Sequence, residues 1–228
     1  FTVKAGTEGA WVCGLVLADE NPLYEDANVN GIDEKFRIDA NAKDMEGLYF
    51  IGKLIWEKGW REMIELLADS PTPVLHVFGE GEACIVRAIS ELASSKGVQL
   101  VMHGSTATPW IDLQALKVFV NCSRSEVLCT TTAEALAMGK FAIVPRHPSN
   151  TFFADFPNCL VYDSPEQFQS LLAHAMKSRP EQVPPNSILS WDAATQRLLD
   201  VIAHDPAGLT RAKGVSAKRR LGALRSLR

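Results

Sequence analysis

From Gly47 onward, short apolar runs alternate with stretches of helical period, and no other feature restricts the fold as strongly. The runs at 48–51, 74–78, 98–102, 118–120, 141–144 and 160–162 are three to five residues long and rich in aliphatic and aromatic side chains. Such compact apolar runs predict strands buried on both faces. Between them, 60–68, 83–94, 109–116, 131–138 and 165–177 predict helices, and 191–203 predicts another beyond Pro184-Pro185. Strict alternation predicts an α/β fold: a Rossmann-like parallel sheet with helices on both faces. Ligands on such sheets bind beyond the carboxyl ends of the strands, in the loops that lead into helices. Chemistry is therefore expected in those loops.

Three regions are expected. Residues 1–46 are irregular, with turn signals at Asp19-Glu-Asn-Pro22 and Asn28-Val-Asn-Gly31, and read as a remnant of a preceding domain and its linker. Residues 47–203 form the sheet domain. Residues 204–228 form a basic tail: after Asp205 come seven Lys and Arg and no acid. Leu221, Leu224 and Leu227 stand there at helical spacing, so the tail could lie on an anionic membrane surface, though its composition favours a solvated, disordered segment. Phe1 is not an initiator methionine, and the chain reads as a piece of a longer protein.

The net charge of −4 conceals this basic tail and a strongly acidic remainder, which argues against a nucleic-acid partner. The longest clean apolar run, 11–18, is too short to span a bilayer. Cys13, Cys84, Cys122, Cys129 and Cys159 are scattered, without a Cys-x-x-Cys pair, and read as reduced thiols. The histidines are equally dispersed, and no metal site is expected.

The most informative loop is Glu126-Val-Leu-Cys-Thr-Thr-Thr-Ala-Glu134, after the strand in Lys117-Val-Phe-Val-Asn121. With Thr130 or Thr131 as N-cap, Glu126 lies in the loop and Glu134 about one turn inside the helix. A helix N-terminus attracts phosphate, because its first N–H groups are unpaired and its dipole end is positive. Carboxylates beside it can accept hydrogen bonds from sugar or ribose hydroxyls. The combination suggests a nucleotide-sugar site.

Other loops are less specific. Gly52-Lys53 with Lys58-Gly59 follows the first strand of the sheet and can neutralise a diphosphate, or simply present two surface lysines. It lacks the Walker order. Gly79-Glu-Gly81 lacks the third glycine of a dinucleotide fingerprint, Cys84 standing in its place, and a tight turn accounts for it. His103-Gly104 closes the third strand, where a partly buried histidine and a turn glycine are the ordinary reading. In His147-Pro-Ser-Asn150, Pro148 stiffens a loop from which Ser149 or Asn150 can donate to a ligand. Met138 reads as helix packing.

Together these blocks, ahead of Ala135-Leu-Ala-Met-Gly139, resemble the C-terminal half of a retaining, family-four GT-B glycosyltransferase. The words Cys129 to Lys140, His147 to Asn150, Phe153 to Cys159 and Leu189 to Arg197 resemble more narrowly the plant and algal galactolipid-forming branch of that family. The resemblance runs from about Asn28 to Arg197. It implies transfer of galactose from UDP-galactose to a galactolipid acceptor, monogalactosyldiacylglycerol, at the chloroplast envelope membrane surface, on the cytosolic face of the outer membrane.

Carried onto this chain, the resemblance implies that Lys53 and Lys58 hold the donor diphosphate and stabilise departing UDP. Glu126 would take galactose hydroxyls, and Glu134 the ribose. Val127, Leu128, Cys129 and Thr130 would offer backbone N–H groups, while Gly52, Gly79, Gly81, His103 and Gly104 would border the nucleotide. It implies no metal and no cofactor, lysines and helix dipole standing in for a cation. Family-four enzymes generally carry glycine at the position of Cys129, and arginine more often than the first lysine. The stretch 14–27 matches nothing in the family. The acceptor site would lie in an N-terminal half, so the isolated chain is expected to bind UDP-sugar weakly and transfer little. Two other readings are a soluble family-four enzyme acting on a sugar or glycan, and a non-catalytic UDP-sugar-binding fragment. A nicotinamide-dependent oxidoreductase is more distant.

Overall fold

The computed structural model describes residues 2–5, 11–14, 31–36, 45–71, 74–123, 126, 129–181 and 188–204. Near the N-terminus, β1 (Thr2–Ala5) and β2 (Trp11–Gly14) pair antiparallel, with Thr2 opposite Gly14 and Ala5 opposite Trp11. Four-residue strands are too short to impose a period on the sequence, which there predicted only irregular chain. The unmatched residues 15–27 and the basic segment 205–228 lie outside the described residues.

The alternating region forms β3 (Leu48–Ile51), α1 (Trp60–Ala68), β4 (Val74–Phe78), α2 (Ala83–Ser95), β5 (Gln99–Gly104), α3 (Pro109–Asp112), β6 (Val118–Val120), α4 (Thr130–Ala137), β7 (Phe141–Pro145), β8 (Cys159–Tyr162), α5 (Pro165–Lys177) and α6 (Trp191–His204). The six strands from β3 onward make one sheet in the order β5-β4-β3-β6-β7-β8, every neighbouring pair parallel. Register places Leu48 between Leu75 and Val118, and Tyr49 between His76 and Phe119. The doubly wound architecture expected from the sequence is the one observed.

Alternate side chains along each strand point to opposite faces, which produces two cores. Leu48, Phe50, Val77, Val118, Val120 and Ile143 pack on one side, in a cluster with Trp60, Met63, Ile64 and Leu67 of α1, Ile89 of α2 and Phe168 of α5. Tyr49, Phe119, Ala142 and Val144 pack on the other, with Ala133 and Leu136 of α4 and with Phe153. Met138 is buried in this second core, as the helix-packing reading required. Ile32 and Phe36 of the irregular N-terminal segment belong to it too, Ile32 N–H donating to Leu189 O at 2.8 Å.

Helix starts follow local chemistry where a cap is present. Ser164 Oγ accepts Gln167 N–H at 3.2 Å with Pro165 at the first helical position of α5, and Ser190 Oγ accepts Ala193 N–H at 3.2 Å at the head of α6. Two sequence expectations need correction. The helix at 109–116 stops at Asp112: beyond it Gln114 N–H turns to Ile111 O (3.1 Å) and Leu116 N–H to Leu113 O (3.0 Å), and buried Lys140 donates to Leu113 O (2.7 Å) and Leu116 O (2.5 Å). The ammonium thus supplies a donor to terminal carbonyls that have no N–H four residues on to pair with. The N-cap of α4 is neither Thr130 nor Thr131 but Cys129, in a left-handed conformation (φ 46°, ψ 49°).

Candidate functional site

Strand order reverses between β3 and β6: the chain moves from β3 outward to β4 and β5, then returns to β6 on the other side. The crevice beyond the carboxyl ends of these two strands is where such sheets hold ligands. Gly52 to Gly59 leaves β3 there, and the segment beginning at Asn121 leaves β6 there.

Glycines let the loops stack closely. Gly52 N–H donates to Phe78 O (2.9 Å), Leu54 N–H to Glu80 O (2.9 Å) and Gly79 N–H to Gly104 O (2.7 Å). A Cβ on Gly79, whose φ is 148°, would stand 1.8 Å from Gly52 O, and one on Gly81 would stand 2.3 Å from Leu54 O. These glycines therefore serve loop stacking beside the crevice, the tight-turn alternative of the sequence reading.

Across the reversal, Lys58 Nζ meets Glu126 Oε1 at 2.5 Å, bringing together two site residues 68 positions apart. The Glu126 side chain is only 12% exposed. Around them, Ser123 Oγ donates to Glu57 O at 3.3 Å, and a Cβ on Gly59 would lie 2.3 Å from Cys122 O. Lys53 is exposed and has no ion-pair partner among the described residues.

Cys129 O accepts Thr132 N–H (2.9 Å) and Ala133 N–H (3.2 Å), so α4 opens its positive end at the reversal. Glu134 lies about one turn inside α4, as its spacing implied. Among the described residues its carboxyl has neither an ion pair nor a side-chain hydrogen bond, and burial pushes its pKa up to about 7. The Tyr49 hydroxyl is also buried without a partner; burial first and the Glu134 charge second hold the phenol well above its ordinary range. A carboxyl without an internal partner, beside the positive end of a helix, suits a ligand that carries hydroxyls and phosphates.

The remaining predicted positions spread along the carboxyl edge. Gly79 and Gly81 sit one strand from β3, and His103 and Gly104 two strands away on edge strand β5. The exposed His103 ring stacks on Phe78, with centroids 4.3 Å apart, and its Nε2 lies 2.9 Å from His76 Nδ1. Val127 and Leu128 lie outside the described residues. Asn150 is not a ligand donor: its buried amide donates to Pro145 O at 2.8 Å. Ser149 turns back on its own loop, Oγ 2.8 Å from His147 Nδ1.

Sequence reasoning passed over Asn121 and Ser123. Asn121 Oδ1 accepts Ser123 N–H at 3.0 Å and shapes the exit of β6. Their signal was position, polar residues directly after an apolar strand. Among the described residues no group of three or more His, Cys, Asp or Glu is placed to hold a metal ion, and no helix is long and apolar enough to cross a membrane.

Comparison with known proteins agrees with this geometry. The chain is 40% identical over 191 residues to digalactosyldiacylglycerol synthase 1, chloroplastic, of Arabidopsis thaliana, covering 76% of this chain and 23% of that protein. It is 32% identical to digalactosyldiacylglycerol synthase 2, chloroplastic, of the same plant, covering 96% of this chain and 50% of that one. The chain thus spans a quarter to a half of these curated relatives. Among solved structures, the lipopolysaccharide outer core galactosyltransferase WaaB superposes with a TM-score of 0.63 at 16% identity, over 77% of this chain and 54% of that one. Anabaena HepE, solved with UDP and glucose, gives 0.59 at 14% identity, over 79% and 55%. These likenesses show the fold, the Rossmann-like C-terminal half of a GT-B glycosyltransferase. A family model described as glycosyl transferases group 1 matches residues 31–183. With its doubly wound sheet and a lysine–glutamate pair across the strand reversal, the chain belongs to the group 1 glycosyltransferases.

Proposed function

We propose that this chain is the donor-binding half of a galactolipid-forming galactosyltransferase, which moves galactose from UDP-galactose to monogalactosyldiacylglycerol and yields the digalactosyl lipid. The observation that carries the reading is the unpartnered Glu134 carboxyl about one turn inside α4, together with the Lys58–Glu126 pair at the strand reversal. Relatives named digalactosyldiacylglycerol synthase support the choice of substrates.

In this reading the donor replaces the Lys58–Glu126 contact. Its diphosphate takes Lys58, with Lys53 and the amino end of α4 completing the positive surround, and galactose hydroxyls take Glu126. The ribose hydroxyls donate to Glu134. When the bond between galactose C1 and the phosphate oxygen breaks, charge builds on UDP, and the two lysines stabilise it where a metal cation would otherwise serve. The protein works at the chloroplast outer envelope, on its cytosolic face, a placement supported by relatives named chloroplastic and by the basic segment after Asp205.

The test is product analysis on a protein in which this chain is joined to an upstream half like that of its relatives, given monogalactosyl lipid and either UDP-galactose or UDP-glucose. Digalactosyl lipid from UDP-galactose is expected. Preference for UDP-glucose, or no lipid product, overturns the substrate assignment.

A further inference from the structure

One chain of side-chain hydrogen bonds joins three points at the carboxyl end of the sheet. Ser123 N–H donates to Asn121 Oδ1 at 3.0 Å, and Asn121 Nδ2 donates to Cys129 Sγ at 3.7 Å. The Cys129 thiol donates to Asn150 Oδ1 at 3.4 Å, and Asn150 Nδ2 donates to Pro145 O at 2.8 Å. Asn121, Cys129 and Asn150 are each at most 3% exposed. The path runs from the exit of β6, through the residue that caps α4, to the exit of β7.

Cys129 is the one non-glycine residue with positive φ among the described residues. A side chain in the left-handed region costs about 1–2 kcal/mol, which glycine avoids. Surrounding structure must hold such a conformation in place, and here the sulfur is held from both sides. Burial, with the Glu126 charge adding to it, pushes the thiol pKa up to about 12, so the group stays protonated and can donate to Asn150. Glu126 stands three residues before Cys129 in the chain.

We propose that Cys129 is a positioning residue for the sugar-diphosphate part of the donor: its thiol, bridging Asn121 and Asn150, holds the amino end of α4 in register with Glu126. The inference rests on the donor-site reading above. The buried sulfur does not touch the ligand. It sets the direction in which the first turn of α4 and the Glu126 carboxylate face the crevice. Ribose recognition through Glu134, further along the helix, depends on it less.

The test compares affinities of the full chain for uridine and for UDP-galactose by NMR titration, with thermal unfolding alongside. Cys129→Ala should weaken UDP-galactose about tenfold, the size of one lost hydrogen bond, and leave uridine within about twofold. Asn150→Ala removes the thiol's acceptor without altering the cap residue and should give the same split. Cys129→Ser, which keeps a donor and an acceptor, should recover most of the loss. Equal weakening of both ligands, or full UDP-galactose affinity in both alanine variants, overturns the positioning role. Failure of the unsubstituted chain to bind either ligand overturns the donor reading and takes this inference with it.

Discussion

Glu134→Gln should make the protein more stable and less able to bind donor. The Glu134 carboxyl is raised from an ordinary 4.5 to about 7 by burial, with no ion pair among the described residues to offset the loss of water. Between those two values the native state holds a proton that the unfolded chain has released, so stability falls as pH rises through this window. The penalty is absent below about pH 4.5 and complete above about pH 7, where two to three pKa units amount to about 3 kcal/mol. Glutamine keeps the shape and carries no charge. Denaturant unfolding should therefore show the variant more stable by about 3 kcal/mol at pH 8, roughly 6–12 °C in midpoint for a domain of this size, and equal to the parent near pH 4.5. Donor binding should change in the opposite sense. Ribose hydroxyls stabilise the carboxylate, so UDP should bind the parent with proton release near pH 6, detectable by calorimetry in buffers of different ionisation enthalpy. The variant should lose at least about tenfold in affinity and all of that proton release. A stability difference independent of pH, or unchanged UDP affinity, would refute the reasoning.

Other substitutions probe separate parts. Lys58→Ala removes a cation from the diphosphate and strands the Glu126 carboxylate; transfer by the protein with its upstream half should fall by at least about 100-fold in a UDP-release assay. Gly79→Ala sets a Cβ 1.8 Å from the Gly52 carbonyl, so the β3 and β4 loops must separate, and denaturation should record a loss of more than about 2 kcal/mol. Lys140→Met takes the ammonium donor from the buried Leu116 carbonyl and leaves Leu113 O with the Leu116 N–H alone, and should cost about 1–3 kcal/mol in the same measurement, without changing UDP affinity.

Much of the sheet was legible because a strand buried on both faces must be apolar at every position, and 118–120 or 141–144 can hardly be anything else. Loop positions followed from the strands, and Glu134 fell about one turn inside α4 because helical rise is uniform. The short third helix was illegible for the opposite reason. Residues 113–116 have a helical pattern, but the Lys117 N–H that would pair with Leu113 O goes to Gly47 O, and the ammonium of residue 140 donates to Leu113 O; no local window contains either partner. Cys129 as a left-handed cap was hidden in the same way, its sulfur held by residues 8 and 21 positions away.

The sequence by itself determined the alternation of strand and helix, the loops that carry glycine, lysine and glutamate, and the spacing of Glu126 and Glu134, since each depends on neighbours within a few turns of chain. Tertiary structure alone decided that the strand order reverses between β3 and β6, and hence that the loops after those two strands share one crevice. It also decided that Lys58 lies against Glu126 and that Glu134 is half-buried without a partner. Strand order is set by how two cores of side chains distant in sequence fill space together, and burial of a charge depends on everything packed around it. Those quantities belong to the folded chain as a whole.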